Sequence, residues 1–145
     1  MSGKGLAAAG VLLLWAALAA AEPGFVVIVN AANPASQVSP EVAAKIFSKR
    51  LGTWPDGQRT KPVDLPVASA TREAFSREVL GQPAGVIEEM WQKQIFSGRD
   101  VPPPRKASDS EVIDYVARYP GAIGYVAASS RLEARVKIIQ IKGER

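Results

Sequence analysis

Short β-branched runs separated by amphipathic helical stretches limit this chain to a layered fold. Phe25 to Val29 is the first run, and Asn30-Ala31-Ala32-Asn33-Pro34 closes it with turn residues. Ser39-Pro40 then opens a helix, with serine as N-cap and proline at the first helical position. Val42, Ala43, Ile46 and Phe47 recur on one face of it, and Glu41, Lys45 and Lys49 face water. Gly52 to Gly57 is a turn cluster, and Lys61 to Val67 reads as a short strand, either at an edge or irregular, because prolines interrupt it. Ser69-Ala70-Thr71 begins a helix that runs to Leu80 and stops at Gly81, with Phe75 and Val79 inward and Glu73 paired to Arg77. Pro83 starts another, with Ile87, Met90, Trp91 and Ile95 predicted to face the core. After the stiff Val101-Pro102-Pro103-Pro104 connection, Ser108 and Glu111 form a capping box for a helix that buries Val112, Ile113, Val116 and Tyr119. Ile123 to Val126 and Val136 to Ile141 complete the pattern as strands. Strands interleaved with helices at this scale predict an α/β fold, a mixed sheet flanked by helices in three layers.

The N-terminus reads as a leader. Lys4 is the only charge before Glu22, Leu6 to Leu18 is apolar, and Ala19-Ala20-Ala21 supplies the small residues of a cleavage site. The apolar run is shorter than the ~20 residues that span a bilayer. The expectation is therefore a signal peptide over residues 1–21, cleaved after Ala21, and no stable membrane span afterwards. One domain over residues 22–145 remains, exported to a periplasm or secreted. The chain has no cysteine, so in an oxidising compartment packing alone must hold the fold.

Composition narrows the chemistry. With no histidine and no cysteine, the chain lacks the commonest general base, the usual nucleophile pairs and the ligands of a zinc site. No enzyme, metal or cofactor is expected. The net charge of +4 comes from scattered Lys and Arg, too thin for nucleic acid but compatible with an anionic ligand or an anionic membrane face.

The segment Asp64 to Phe75 is the most informative locally. A strand passes through small residues straight into a helix, where the first N–H groups have no intrahelical partner and the peptide dipoles leave partial positive charge. Ser69, Ala70, Thr71 and Arg72 stand at that point, so hydroxyls, amides and a cation converge where small anions bind. Serine is also the favoured cap of any helix, and that structural reading stays open beside the first. Trp54 and Trp91 read as packing residues.

Four stretches, in order, carry a resemblance. They are Val29 to Pro34, then Ile46-Phe47 leading to Trp54-Pro55-Asp56-Gly57, then Ser69 to Phe75, and Pro120 to Val126. Together they resemble the phosphate ABC transporter substrate-binding family, whose fold is the periplasmic-binding-protein-like type 2 fold. That resemblance implies a lobe whose serine, glycine and threonine hold an oxyanion, with an arginine four residues earlier. Ser69 and Thr71 match the serine and threonine, Ala70 stands for the glycine, and Leu65 stands where the arginine would be. Losing an arginine contact removes the strongest kind of bond to phosphate. The chain length suits one lobe, so the expectation is a half-site open to water. Two functions follow from it. One is a solute-binding-like protein taking phosphate or a similar oxyanion. The other is an accessory or sensor module with a vestigial anion site, acting through an envelope protein partner or a homodimer.

Overall fold

The computed structural model describes residues 24–143, and the leader expected over residues 1–21 lies outside them. A mixed four-stranded sheet forms the centre. It contains β1 (Phe25–Asn30), β3 (Lys61–Pro62), β4 (Ala122–Ala127) and β5 (Val136–Ile138) in the order β3-β4-β1-β5. β4 and β5 run antiparallel to β1, and β3 runs parallel to β4. A two-residue parallel pair, β2 (Gln37–Val38) with β6 (Gln140–Ile141), lies beside it. The helices are α1 (Pro40–Phe47), α2 (Ala70–Phe75), α3 (Ala84–Phe96) and α4 (Asp109–Arg118).

Strand alternation sorts the helices onto two faces. Phe75 of α2 stacks on Tyr125 of β4 at 3.9 Å between ring centroids, and Phe47 of α1 and Phe25 of β1 pack on Phe75. One residue along, Gly124 points the other way. A Cβ there would lie 2.8 Å from side-chain carbons of both Val112 and Val63, so α4 sits on β4 at a distance only glycine permits. Asn30 closes the α4 side by donating from Nδ2 to the carbonyls of Val116 and Ala117, at 2.9 and 3.1 Å. Helices on both faces of a mixed sheet make the α/β layering that the strand–helix alternation predicts.

Most local signals hold. Ser39, Ser69 and Ser108 all cap their helices through Oγ, and Gly81 ends its helix at φ 76°. Pro62 sits on the sheet's edge strand, where its missing N–H costs least. Trp54 is buried and donates Nε1–H to the Gly121 carbonyl at 2.9 Å. Four details differ. The helix from Thr71 does not run evenly to Leu80 but widens into a π-helical turn over Ser76–Leu80. The buried Ser76 hydroxyl there donates to the Gln82 carbonyl at 2.6 Å, tying the turn to the following loop. Tyr119 is only half-buried, because it packs on Tyr115 at the sheet's edge with the Lys61 ammonium over its ring. Val136 to Ile141 is two strands, since Ile139 turns in, donates its N–H to Val27, and lets the chain exchange β1 for β2 as partner. Finally, Met90 and Ile95 face solvent, at 45% and 46% exposure, and α3 buries only Ala84 and Trp91. The helical period is right, but the lobe offers α3 a seat for one aromatic only.

Candidate functional site

The loop from β3 into α2 runs through Leu65 and Pro66 to Ser69. Asp64 anchors its start: its N–H donates to Pro104 and its carbonyl accepts from Lys106, each at 2.9 Å. The turn then closes through the Ser69 N–H on the Pro66 carbonyl, also 2.9 Å. Ser69 caps α2 by accepting from the Arg72 N–H at 3.2 Å, which leaves its own O–H free to donate outward. Ser69 and Thr71 are half-buried and Ala70 is exposed. Together with Leu65, Pro66, Ser108 and Asp109 the two hydroxyl residues line an open depression of about 350 Å³. The starts of α2 and α4 therefore share one hollow, each with its serine cap beside it. Asp109 at its rim is turned aside, accepting on Oδ2 from the Ser130 hydroxyl at 3.1 Å.

Arg72 is built differently from what its position in the chain suggests. The residue is 2% exposed, and its side chain runs under the loop. Nη1 donates to the Leu65 carbonyl at 3.0 Å, Nη2 to Glu88 Oε2 at 3.4 Å, and Nε lies 3.8 Å from Asp64 Oδ1. Arg105 reaches the same Glu88 oxygen from outside at 2.6 Å. On the far side of Asp64, the Tyr125 hydroxyl donates to Oδ1 in a short contact and accepts the Leu65 N–H at 3.2 Å. Two carboxylates and two guanidiniums thus balance beneath the loop, and Arg72 holds its backbone from below.

Burial dominates the titration of this cluster. It pushes the Asp64 carboxyl above its ordinary value, against the lowering effects of Arg72 and of the Tyr125 hydrogen bond. The Tyr125 phenol is pushed upward too, first by burial and then by the neighbouring Asp64, so it remains a donor. Among the described residues no group of three or more His, Cys, Asp or Glu could hold a metal ion.

The four residues expected from the sequence therefore lie together, at one helix start, but in two settings. Ser69 and Thr71 border the hollow, and Ala70 is exposed between them. Arg72 turns into the protein. Asp64, Tyr125 and Glu88 were not singled out from the sequence. One signal was available: Asp64 is a lone charge between Val63 and Leu65 in an apolar run, a position that demands a buried partner.

A family profile described as a PBP superfamily domain matches residues 7–141. The chain belongs to the PBP superfamily. Solved structures of this superfamily fold lie close to it. An ABC-type phosphate transport receptor from Vibrio cholerae superposes with a TM-score of 0.61 at 22% identity, over 81% of this chain and 46% of the receptor. A putative phosphate ABC transporter substrate-binding protein with bound phosphate, from Clostridium perfringens, gives 0.64 at 20% identity, over 81% and 44%. A possible phosphate binding protein from Planctomyces limnophilus gives 0.62 at 17%, over 82% and 41%. This PBP superfamily chain spans less than half the length of those proteins, and it shares their fold. Among curated proteins, none matches its sequence. No helix among the described residues is long and apolar enough to cross a membrane.

Proposed function

We propose that this chain is an exported, non-catalytic solute-binding-like lobe that takes phosphate or a similar oxyanion at the start of α2, its leader cleaved after Ala21. One observation carries the reading. The Ser69 and Thr71 hydroxyls and the first α2 amides border a hollow that the start of α4 also borders, so donors from two helix ends meet around a space open to a small anion. The bound phosphate of the Clostridium perfringens relative makes that anion the first to test. Arg72 supports the site indirectly here, by holding the Leu65 carbonyl and hence the loop.

A second reading has its own observation. The hollow is lined by no Lys or Arg, and the arginine beside it is occupied by Asp64 and Glu88. An oxyanion there would be held by hydroxyls and amides alone, without the bidentate guanidinium contact that adds strength and geometry to phosphate binding. That favours an accessory or sensor module working through protein contacts, with an envelope protein or a second copy as partner.

Calorimetric titration with phosphate, with sulfate as the control, decides between them. Saturable phosphate binding that the Ser69→Ala, Thr71→Ala double variant abolishes while the fold survives supports the first reading. No heat up to millimolar phosphate overturns it.

A further inference from the structure

The corner where α3 ends has no place in the oxyanion reading. Phe96, the last residue of α3, is 87% exposed, and Val101 just beyond it is 60% exposed. Ile95 lies beside Phe96, also turned to solvent. The chain reverses between them in a tight cap: Gly98 adopts φ 68°, its N–H donates to Ile95 at 3.1 Å, and the Arg99 N–H donates to Gln94 at 3.0 Å. In such a cap the residue after the glycine is often apolar and covers the last helical turn. Here it is Arg99, and the apolar residues stay bare.

The surroundings are cationic. Lys93 and Arg99 are exposed on the same end of α3. Arg50 belongs to the same corner, because it lines one groove with Gln94 and its neighbour Lys49 pairs with Asp100 at 3.9 Å. That pairing neutralises Asp100. Among the described residues, no carboxylate lies in ion-pair reach of Lys93, Arg99 or Arg50.

We propose that this corner docks the protein peripherally on an anionic lipid surface. The shape fits: Phe96 protrudes rather than lining a groove, which suits insertion among acyl chains better than a fixed protein pocket. The charge also fits. Uncompensated cations flank the apolar tip, where anionic headgroups would meet them. Scattered single apolar residues are ordinary on a surface, but a protruding aromatic flanked by net positive charge is the combination a peripheral membrane contact needs. The inference is independent of whether the hollow at α2 binds an anion.

The absence of cysteine makes the test clean. An environment-sensitive, apolar fluorophore is placed on the full chain through Phe96→Cys, and in a second preparation through Ser129→Cys in the β4–β5 connection. Both carry the same N-terminus, so the difference between them reports the corner. With phosphatidylglycerol-containing vesicles the label at 96 should shift to the blue and be quenched by lipid-borne quenchers, while the label at 129 stays in water. Arg50→Gln and Arg99→Gln should each weaken that response about fivefold, and added salt should weaken it further. A label at 96 that stays aqueous, or that responds equally to neutral phosphatidylcholine vesicles, overturns the proposal. So does a blue shift without vesicles that grows with protein concentration, since the corner would then meet a second copy. Unlabelled wild type should co-sediment with the anionic vesicles more than its Phe96→Ser variant does. Equal sedimentation counts against the corner.

Discussion

α4 and α3 lie beside the same loop and are held in opposite ways. α4 has 10 residues and buries Val112, Ile113, Val116 and Ala117 against the sheet, with Gly124 cut away to receive it. α3 has 13 residues and buries Ala84 and Trp91 only. What fixes α3 besides Trp91 is polar: the Ala84 N–H on Glu73 Oε2 at 3.1 Å, and Glu88 on Arg72 and Arg105. A longer helix is thus not a better anchored one. Its stability follows from the apolar area that a neighbour accepts.

Arg72→Met strikes the polar side of that contrast and has the largest expected effect. It leaves Asp64 buried beside Glu88 without its cation, and breaking such a pair costs ~3–5 kcal/mol. Denaturant unfolding measures it. If the loss is under about 1 kcal/mol, the cluster does not hold the loop.

Trp91→Ala comes next, at about 3 kcal/mol, the low end for a buried aromatic because the helix around it is already solvated. Amide hydrogen exchange should accelerate along α3 and not along α4. Acceleration in both would mean the two helices unfold as one unit.

Gly124→Ala tests the tight seat of α4. A methyl group there meets Val63 and Val112, both valine tips within 3 Å, and overpacking of this kind costs about 1–3 kcal/mol. A neutral result would show that α4 can slide away from β4. Met90→Ala, on the exposed face of α3, should change stability by less than about 0.5 kcal/mol.

Asp64 adds a dependence on pH with a defined sign. Its carboxyl binds its proton more tightly in the folded chain than at the ordinary 3.8. The associated stability is therefore fully present below that value and is lost as pH rises through the folded-state value. Asp64→Asn removes it. The stability of the wild type relative to this variant should rise as pH falls from neutrality towards 4. A flat difference would mean that Arg72 and Tyr125 offset burial completely.

Much of this molecule is legible before folding. The serine caps at 39, 69 and 108, the stop at Gly81, the edge position of Pro62 and the apolar periods of α1 and α4 all follow from interactions within a few residues. So does the meeting of Ser69, Ala70 and Thr71 at one helix start. Periodicity cannot tell which apolar face finds a partner, and Met90 and Ile95 were lost for that reason. Nor can the chain around Arg72 show where its guanidinium points. Asp64, Glu88 and Tyr125 lie as far as 61 residues apart along the chain. Only the sheet and the packing of α3 bring them under one loop. The sequence by itself determined the order of the main helices and strands, their serine caps and the hydroxyls at the start of α2, because these are local. The tertiary structure alone decided that Arg72 is a buried counter-ion and that Phe96 stands in solvent, because burial is settled by what the rest of the chain brings alongside.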